Sequence, residues 1–187
     1  MKLKYNNITI SGGIATGTST LFNNLKFYLQ PLGWKFRSTG QIVREITKEN
    51  LFPVATLVSD ELDKKLEAKV YKLLSKEKNW VIEGWLAGFV AKDLKNTLKI
   101  LLICSDEGLR IDRVVNRDNV TVEEAKKLIK EREEQNFTKW KKIYGNYNFF
   151  DPKFYDLVID TYSSGPLETV GKVLDKLGFS NNFRKSK

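Results

Sequence analysis

The sequence predicts an α/β fold in which helices cover both faces of a parallel sheet. Three features carry that expectation. Strand-like apolar runs alternate with helix-like periods along the whole chain, the pattern of successive crossover connections. Residues 98–104 (LKILLIC) are apolar almost without a break, as a central strand covered on both faces must be. Residues 4–11 (KYNNITIS) run as a strand into a glycine turn that opens a helix. A chain of 187 residues with 41% hydrophobic side chains suits one globular unit with a sizeable core.

After the first strand, residues 19–29 carry helical spacing until Pro31 stops it. Residues 34–39 form a second strand. Residues 40–50, including the amphipathic QIVREITKEN, form a helix that ends before Pro53. Residues 54–78 place Leu57, Leu62, Leu66, Val70, Leu73 and Leu74 at helical spacing, ahead of a short strand at 80–83. Beyond the central run, Ser105 is expected to cap a helix reaching about Asn116. Thr121 and Glu124 form a capping box that opens a long charged helix to about Tyr144. Residues 155–160 (YDLVID) supply the last strand, and Pro166 opens the final helix. Residues 145–153 read as a surface loop and 181–187 as a frayed basic tail. There is no internal repeat, low-complexity segment or interdomain linker.

Composition excludes several chemistries. No window approaches the roughly 18 consecutive apolar residues of a spanning helix, and the first residues reach Gly12 and Gly13 before any signal-like apolar region develops. A soluble cytoplasmic protein without a membrane partner is expected. The chain has no histidine, so Ser-His-Asp and Cys-His catalysis, His-ligated zinc and imidazole bases are all excluded. The single cysteine, Cys104, has no disulfide partner within the chain and reads as a buried structural thiol in a reducing compartment. A net charge of +9 points to anionic partners without choosing among nucleotides, nucleic acid and solvent ions.

The chemistry concentrates in Gly12-Gly13-Ile14-Ala15-Thr16-Gly17-Thr18-Ser19, followed by Thr20. This has the G-x-x-x-x-G-x-[ST] spacing of a phosphate-binding loop and stands between the first strand and the first helix. Glycines let backbone N–H groups converge on phosphate oxygens, the helix N-terminus adds the positive end of its dipole, and the Ser19 hydroxyl is suited to Mg²⁺. The lysine usual after the second glycine is Thr18 here. The competing reading of the loop alone is a tight glycine turn. Arg110, Arg113 and Arg117, at i, i+3 and i+7, share one side of a helix, either as a phosphate-facing set or as a solvated basic face. Glu83 ends a strand beside the loop, where a carboxylate can orient metal-bound water or simply terminate the strand.

In order and spacing, residues 8–21 (ITISGGIATGTSTL), 38–44 (STGQIVR), 60–64 (DELDK), 81–89 (VIEGWLAGF), 110–117, Arg132-Glu133-Glu134, Ile143-Tyr144-Gly145 and 155–161 (YDLVIDT) resemble the archaeal-type cytidylate kinases. The resemblance spans about residues 3 to 177. It implies a three-layer nucleoside monophosphate kinase domain over 1–180 with a five-stranded parallel sheet, an acceptor-binding region at about 38–90 and an arginine-rich helical lid at about 106–145. It implies phosphoryl transfer from ATP with Mg²⁺ to a pyrimidine monophosphate, CMP or dCMP, in a monomer or weak dimer. By the same resemblance Gly12 to Thr20 hold ATP, Ser19 and Glu83 the metal, and Arg110, Arg113, Arg117 and Arg132 the transferring phosphates. Ser38, Gly40, Arg44, Asp60, Asp63, Gly84 and Trp85 fall to the acceptor, with Arg44 on its phosphate.

Two departures concern that acceptor site: the family's glycine-aspartate is Gly40-Gln41 here, and the arginine of its E-G-R-L-A-G segment is Trp85. Both remove charge, and loss of a bidentate guanidinium changes recognition chemistry. Trp85 is suited either to stacking on a base or to packing. A nucleotide-binding protein with a different acceptor, or without turnover, is the alternative. Nucleic-acid binding is a third reading with only net charge and the tail behind it, and no nucleic-acid motif is present.

Overall fold

The computed structural model describes residues 3–47 and 59–179. Strands β1 (Asn7–Gly12), β2 (Lys35–Ser38), β3 (Trp80–Glu83), β4 (Thr97–Ile103) and β5 (Leu157–Asp160) form one parallel sheet ordered β2-β3-β1-β4-β5. All six residues of β1 are buried. The chain builds first toward β2 and β3 and then toward β4 and β5, so the C-terminal end of β1 lies where crevices form in open parallel sheets.

Helices α1 (Thr18–Leu29) and α7 (Pro166–Leu177) cover one face. Leu21, Leu25 and Leu29 of α1 and Val170, Val173 and Leu177 of α7 close on Ile8, Ile10, Ile100 and Leu102 of the sheet. Each such buried side chain is worth about 1.5–3 kcal/mol of transfer free energy. Helices α2 (Thr39–Thr47), α3 (Asp60–Lys76) and the short α4 (Ala87–Val90) take the other face, where Ile42, Val70 and Leu74 meet Trp80 and Ile82. Buried polar side chains fasten the layers. Asn7 donates to the carbonyls of Leu74 and Glu77 at 2.9 and 3.0 Å and accepts from the Trp80 N–H at 2.9 Å. Ser11 donates to the Gly84 carbonyl at 3.1 Å and accepts from the Gly88 N–H at 2.9 Å, which fixes the turn after β3.

Helices α5 (Glu107–Asp118) and α6 (Val122–Tyr144) form a hairpin at the end of the sheet. Ile111, Val114, Ala125 and Ile129 close around Ile14, so the glycine loop is plugged into the core of this hairpin. The capping box of Thr121 and Glu124 and the start of α7 at Pro166 agree with the sequence.

Other expectations change. Asp106, not Ser105, caps α5: its carboxylate accepts from the Leu109 N–H at 2.6 Å, while the Ser105 N–H and hydroxyl both turn to Asp160. Cys104 is only half-buried because β4 ends one residue earlier, and its thiol donates to the Asp106 carbonyl. Residues 145–153 are more than a surface loop, since Phe149 is fully buried with its ring 4.9 Å from Phe89 and 6.0 Å from Trp140. Helix α4 lacked a periodic signal in four residues. The helix read from 54 begins at Asp60, capped by Ser59; the parts of that reading at 54–58, the end of the preceding helix at 48–50 and the tail lie outside the described residues.

Helix α3 meets the second half of α6 through charge. Asp63 pairs with Lys139 at 2.6 Å, both side chains nearly buried. Burial pushes the carboxyl of Glu67, one turn on, from 4.5 up to about 7; Asp63 adds to the rise, and the Tyr144 hydroxyl and Lys139 offset part of it. A carboxyl whose pKa is raised by folding contributes stability fully present below about 4.5 and lost as pH rises through about 7. Urea unfolding between pH 5 and 8 should therefore show the parent losing roughly 1–3 kcal/mol relative to Glu67→Gln, which removes the titrating group. Parallel pH profiles for the two chains would show that Glu67 titrates as an ordinary carboxylate.

Candidate functional site

The loop after β1 is shaped by steric demand. A Cβ on Gly12 would fall 2.7 Å from the Leu102 carbonyl oxygen and overlap the Thr16 hydroxyl. Gly17 has φ 91°, a left-handed conformation that glycine adopts freely, and Ala15 has φ 58°. Thr16 donates its hydroxyl to the Gly13 carbonyl at 3.0 Å, closing the turn on itself. Thr18, in the usual lysine position, donates to Glu83 Oε1 at 3.0 Å, and Ser19 donates to the same oxygen at 3.2 Å.

Side chains from outside the loop grip its backbone. Arg110 donates from Nε to the Ile14 carbonyl at 3.0 Å, and Arg113 from one terminal nitrogen to the Ala15 carbonyl at 2.9 Å. Thr161, just past β5, donates to the Thr16 carbonyl at 3.1 Å and accepts from Arg113 at 3.0 Å. Glu133 of α6 pairs with Arg110 and accepts from the Ile14 N–H at 3.3 Å.

Two clefts open here. The first, of about 560 Å³, lies between the loop and helices α5 and α7, with Thr18, Ser19, Thr20, Arg113, Arg117 and Thr161 in its wall. The second, of about 480 Å³, is walled by α2, α3, the β3–α4 turn and α6. Ser38, Gly40, Arg44, Asp63, Gly84, Trp85 and Arg132 all line it, and Ser19 lines both. Asp60 stands outside the second cleft, its carboxylate 3.3 Å from Lys142, so the fold separates it from Asp63. Of the four arginines read as phosphate-facing, Arg110 and Arg113 reach beneath the loop. Arg117 forms a bidentate pair with Asp118 at 2.7 and 2.8 Å at the first cleft, and Arg132 faces the second. Arg132 lines this cleft, and its Nε is buried without a hydrogen-bond partner among the described residues.

The two departures acquire physical explanations. Gln41 accepts from the Ser38 N–H at 2.9 Å while Ser38 accepts from the Gln41 N–H at 3.1 Å, a reciprocal cap that starts α2. Trp85 stands between Trp140 at 5.6 Å, Phe150 at 6.3 Å and Phe137 at 6.5 Å, so one edge packs while the residue still lines the second cleft. A Cβ on Gly84 would overlap the Thr39 side chain, which ties this turn to the start of α2.

Sequence reasoning missed Glu67, Asn136 and Trp140 in the second cleft, and Glu133 and Thr161 behind the loop. Glu67 follows Asp63 by one helical turn, a spacing that could have exposed it. Glu133 and Thr161 carry no local signal, because their partners lie 119 and 145 residues away. Glu83 with the Ser19 hydroxyl offers oxygen ligands of the kind a hard divalent cation accepts while keeping most of its water, and no cluster of three or more acidic, Cys or His ligands exists among the described residues. No helix among them is long and apolar enough to cross a membrane.

Similarity to known proteins agrees with this architecture. The model of the cytidylate kinase-like family matches residues 36–163. Cytidylate kinase of Pyrococcus abyssi is 37% identical over 167 residues, covering 85% of this chain and 86% of the relative. That of Sulfurisphaera tokodaii is 31% identical over 173 residues, covering 90% and 92%. Among solved structures, an uncharacterized protein from Eubacterium ventriosum superposes with a TM-score of 0.73 at 16% identity, covering 92% of this chain and 98% of its own. Shikimate kinase of Acinetobacter baumannii gives 0.59, also at 16%, covering 95% and 94%, a likeness of fold. With the phosphate loop at the end of β1, the hairpin of α5 and α6 beside it and two clefts meeting at Ser19, this chain belongs to the cytidylate kinase-like family of nucleotide kinases.

Proposed function

We propose that the protein transfers the γ-phosphoryl group of ATP, bound with Mg²⁺, to CMP or dCMP. The observation that carries this reading is the meeting of the two clefts at Ser19, with a phosphate loop on one side and the pair Arg44 and Arg132 on the other. ATP lies in the first cleft with its phosphates on the N–H groups of the loop and the N-terminus of α1. Ser19 and, through water, Glu83 would hold Mg²⁺, which would supply charge neutralisation to the triphosphate. The acceptor lies in the second cleft, its phosphate between Arg44 and Arg132 and its base against Trp85 and Trp140, within reach of Asp63 and Glu67. An acceptor phosphate oxygen attacks the γ-phosphorus as the bond to the β–γ bridging oxygen breaks, and ADP leaves with that electron pair. Positioning and charge supply the catalysis, which suits a site without histidine. Loss of turnover is not favoured, because Arg113, Arg117 and Arg132 surround a loop that lacks its own lysine. A coupled ADP-release assay over CMP, dCMP, UMP, AMP and GMP tests the assignment, with the cytidine nucleotides expected to be preferred.

Gly17→Val should abolish ATP binding while the chain stays folded, because a β-branched side chain is strained at φ 91° and blocks backbone approach to phosphate. Calorimetric titration with Mg²⁺ and ATP decides it, and a folded variant that binds like the parent removes the loop from the site. Arg44→Ala should raise the acceptor KM roughly tenfold to a hundredfold, the value of a charge-assisted bond of about 1.5–3 kcal/mol, with the KM for ATP nearly unchanged. An unchanged acceptor KM would place the monophosphate elsewhere.

A further inference from the structure

The loop presents phosphate with backbone donors, and the direction of each donor is set by the carbonyl on the same peptide plane. In a trans peptide the C=O of one residue and the N–H of the next point opposite ways, and no peptide bond described here is cis. The carbonyls of Ile14, Ala15 and Thr16 are taken in succession by Arg110, Arg113 and Thr161 at 3.0, 2.9 and 3.1 Å. The N–H groups of Ala15, Thr16 and Gly17 must then turn the other way, and none has a protein acceptor among the described residues. Thr161 is the hub. Its hydroxyl reaches the Thr16 carbonyl and the Ile103 carbonyl at 3.1 and 3.2 Å and accepts from Arg113, whose second nitrogen holds the Thr161 carbonyl at 3.1 Å.

We infer that Thr161, with Arg113 and Arg110, is a positioning residue for phosphoryl transfer: through the loop carbonyls, and in the case of Thr161 and Arg113 from the wall of the first cleft, these side chains orient the loop donors and thereby do part of what a loop lysine does. Two physical effects act together. Fixing three carbonyls removes the reorganisation that phosphate binding would otherwise demand of the loop. A cationic donor on a carbonyl also polarises that peptide, so its N–H becomes the stronger donor. Positive charge is thus relayed chiefly from Arg113 through the Ala15 peptide to the phosphate side, where Thr18 contributes none, since the charge of Arg110 is met by Glu133. Ala15 is held at φ 58° without being glycine, a conformation that the bond to its carbonyl helps to maintain.

The inference rests on the loop holding a triphosphate, and the test separates the two. Binding of Mg²⁺·ATP and of inorganic tripolyphosphate is measured for the parent, Thr161→Val, Thr161→Ser and Arg113→Lys, alongside thermal unfolding and the acceptor KM. Thr161→Val keeps the shape and loses the hydroxyl, so both probes should weaken by roughly tenfold, by the same factor, with the acceptor KM unmoved. Thr161→Ser should restore both. Arg113→Lys should stay weak, because one ammonium cannot reproduce the fork that spans the Ala15 carbonyl and Thr161. If Thr161→Val does not fold, the contrast of a weak Arg113→Lys with a parent-like Thr161→Ser still supports the inference, and equal binding by those two overturns it. Thr161→Val binding both probes like the parent, or losing ATP alone, overturns it and leaves the site assignment standing. A parent that binds neither probe overturns both.

Discussion

The rest of the site depends on the direction of a few peptide planes between β1 and α1. Those planes cannot set themselves, since Ala15 occupies a region of backbone space that a non-glycine residue leaves readily unless its surroundings over-determine it, and Gly17 is free to adopt several. The surroundings do so from three directions. Gly12 is pressed against β4 and Ile14 is buried in the core of α5 and α6. The carbonyls are held by side chains from α5 and from the end of β5. Parallel pairing brings the ends of β1, β4 and β5 together on one edge of the sheet, which lets distant residues share one loop.

The helical hairpin is therefore coupled to the loop by packing and by charge. Arg110 bridges the Ile14 carbonyl and Glu133, while Glu133 returns to the Ile14 N–H, so α5, α6 and the loop share one partly buried network. Displacing α6 would leave Arg110 and the Ile14 peptide short of partners in a poorly solvated place, a cost that favours movement of the hairpin and loop together. Farther along, α6 meets α3 through Asp63, Lys139 and the raised carboxyl of Glu67, at the wall of the second cleft. One helix thus reaches both the glycine loop and the second cleft.

The two departures that remove charge, Gln41 and Trp85, also have structural consequences of their own. Gln41 does the work of an N3 capping residue, which a glutamine amide performs as well as a carboxylate. Trp85 joins an aromatic cluster with Phe137, Trp140 and Phe150 that seats the segment after α6 against the β3–α4 turn. An aromatic wall of this kind offers a base a face rather than a fixed cation, while Arg44 and Arg132 keep positive charge in the same cleft.

The features legible in the residues alone are those that local chemistry encodes. The apolar run of β4, the glycine spacing of the loop, the capping box of α6 and Pro166 at the start of α7 each act over a few residues, so each could be read in place. The same locality misled the reading at Ser105, where a neighbouring aspartate outcompetes a hydroxyl for the α5 cap because a distant carboxylate, Asp160, claims Ser105 first. Folding in three dimensions puts Arg110 on the loop backbone, Arg117 at the first cleft and Arg113 at both, since i, i+3 and i+7 spacing puts all three on one helix face without saying what lies opposite. It alone separated Asp63 from Asp60, raised Glu67 by burial and brought Thr161 to the Thr16 carbonyl. Those facts arise from desolvation and from contacts across more than a hundred residues, and neither leaves a mark on the residues beside them in the chain.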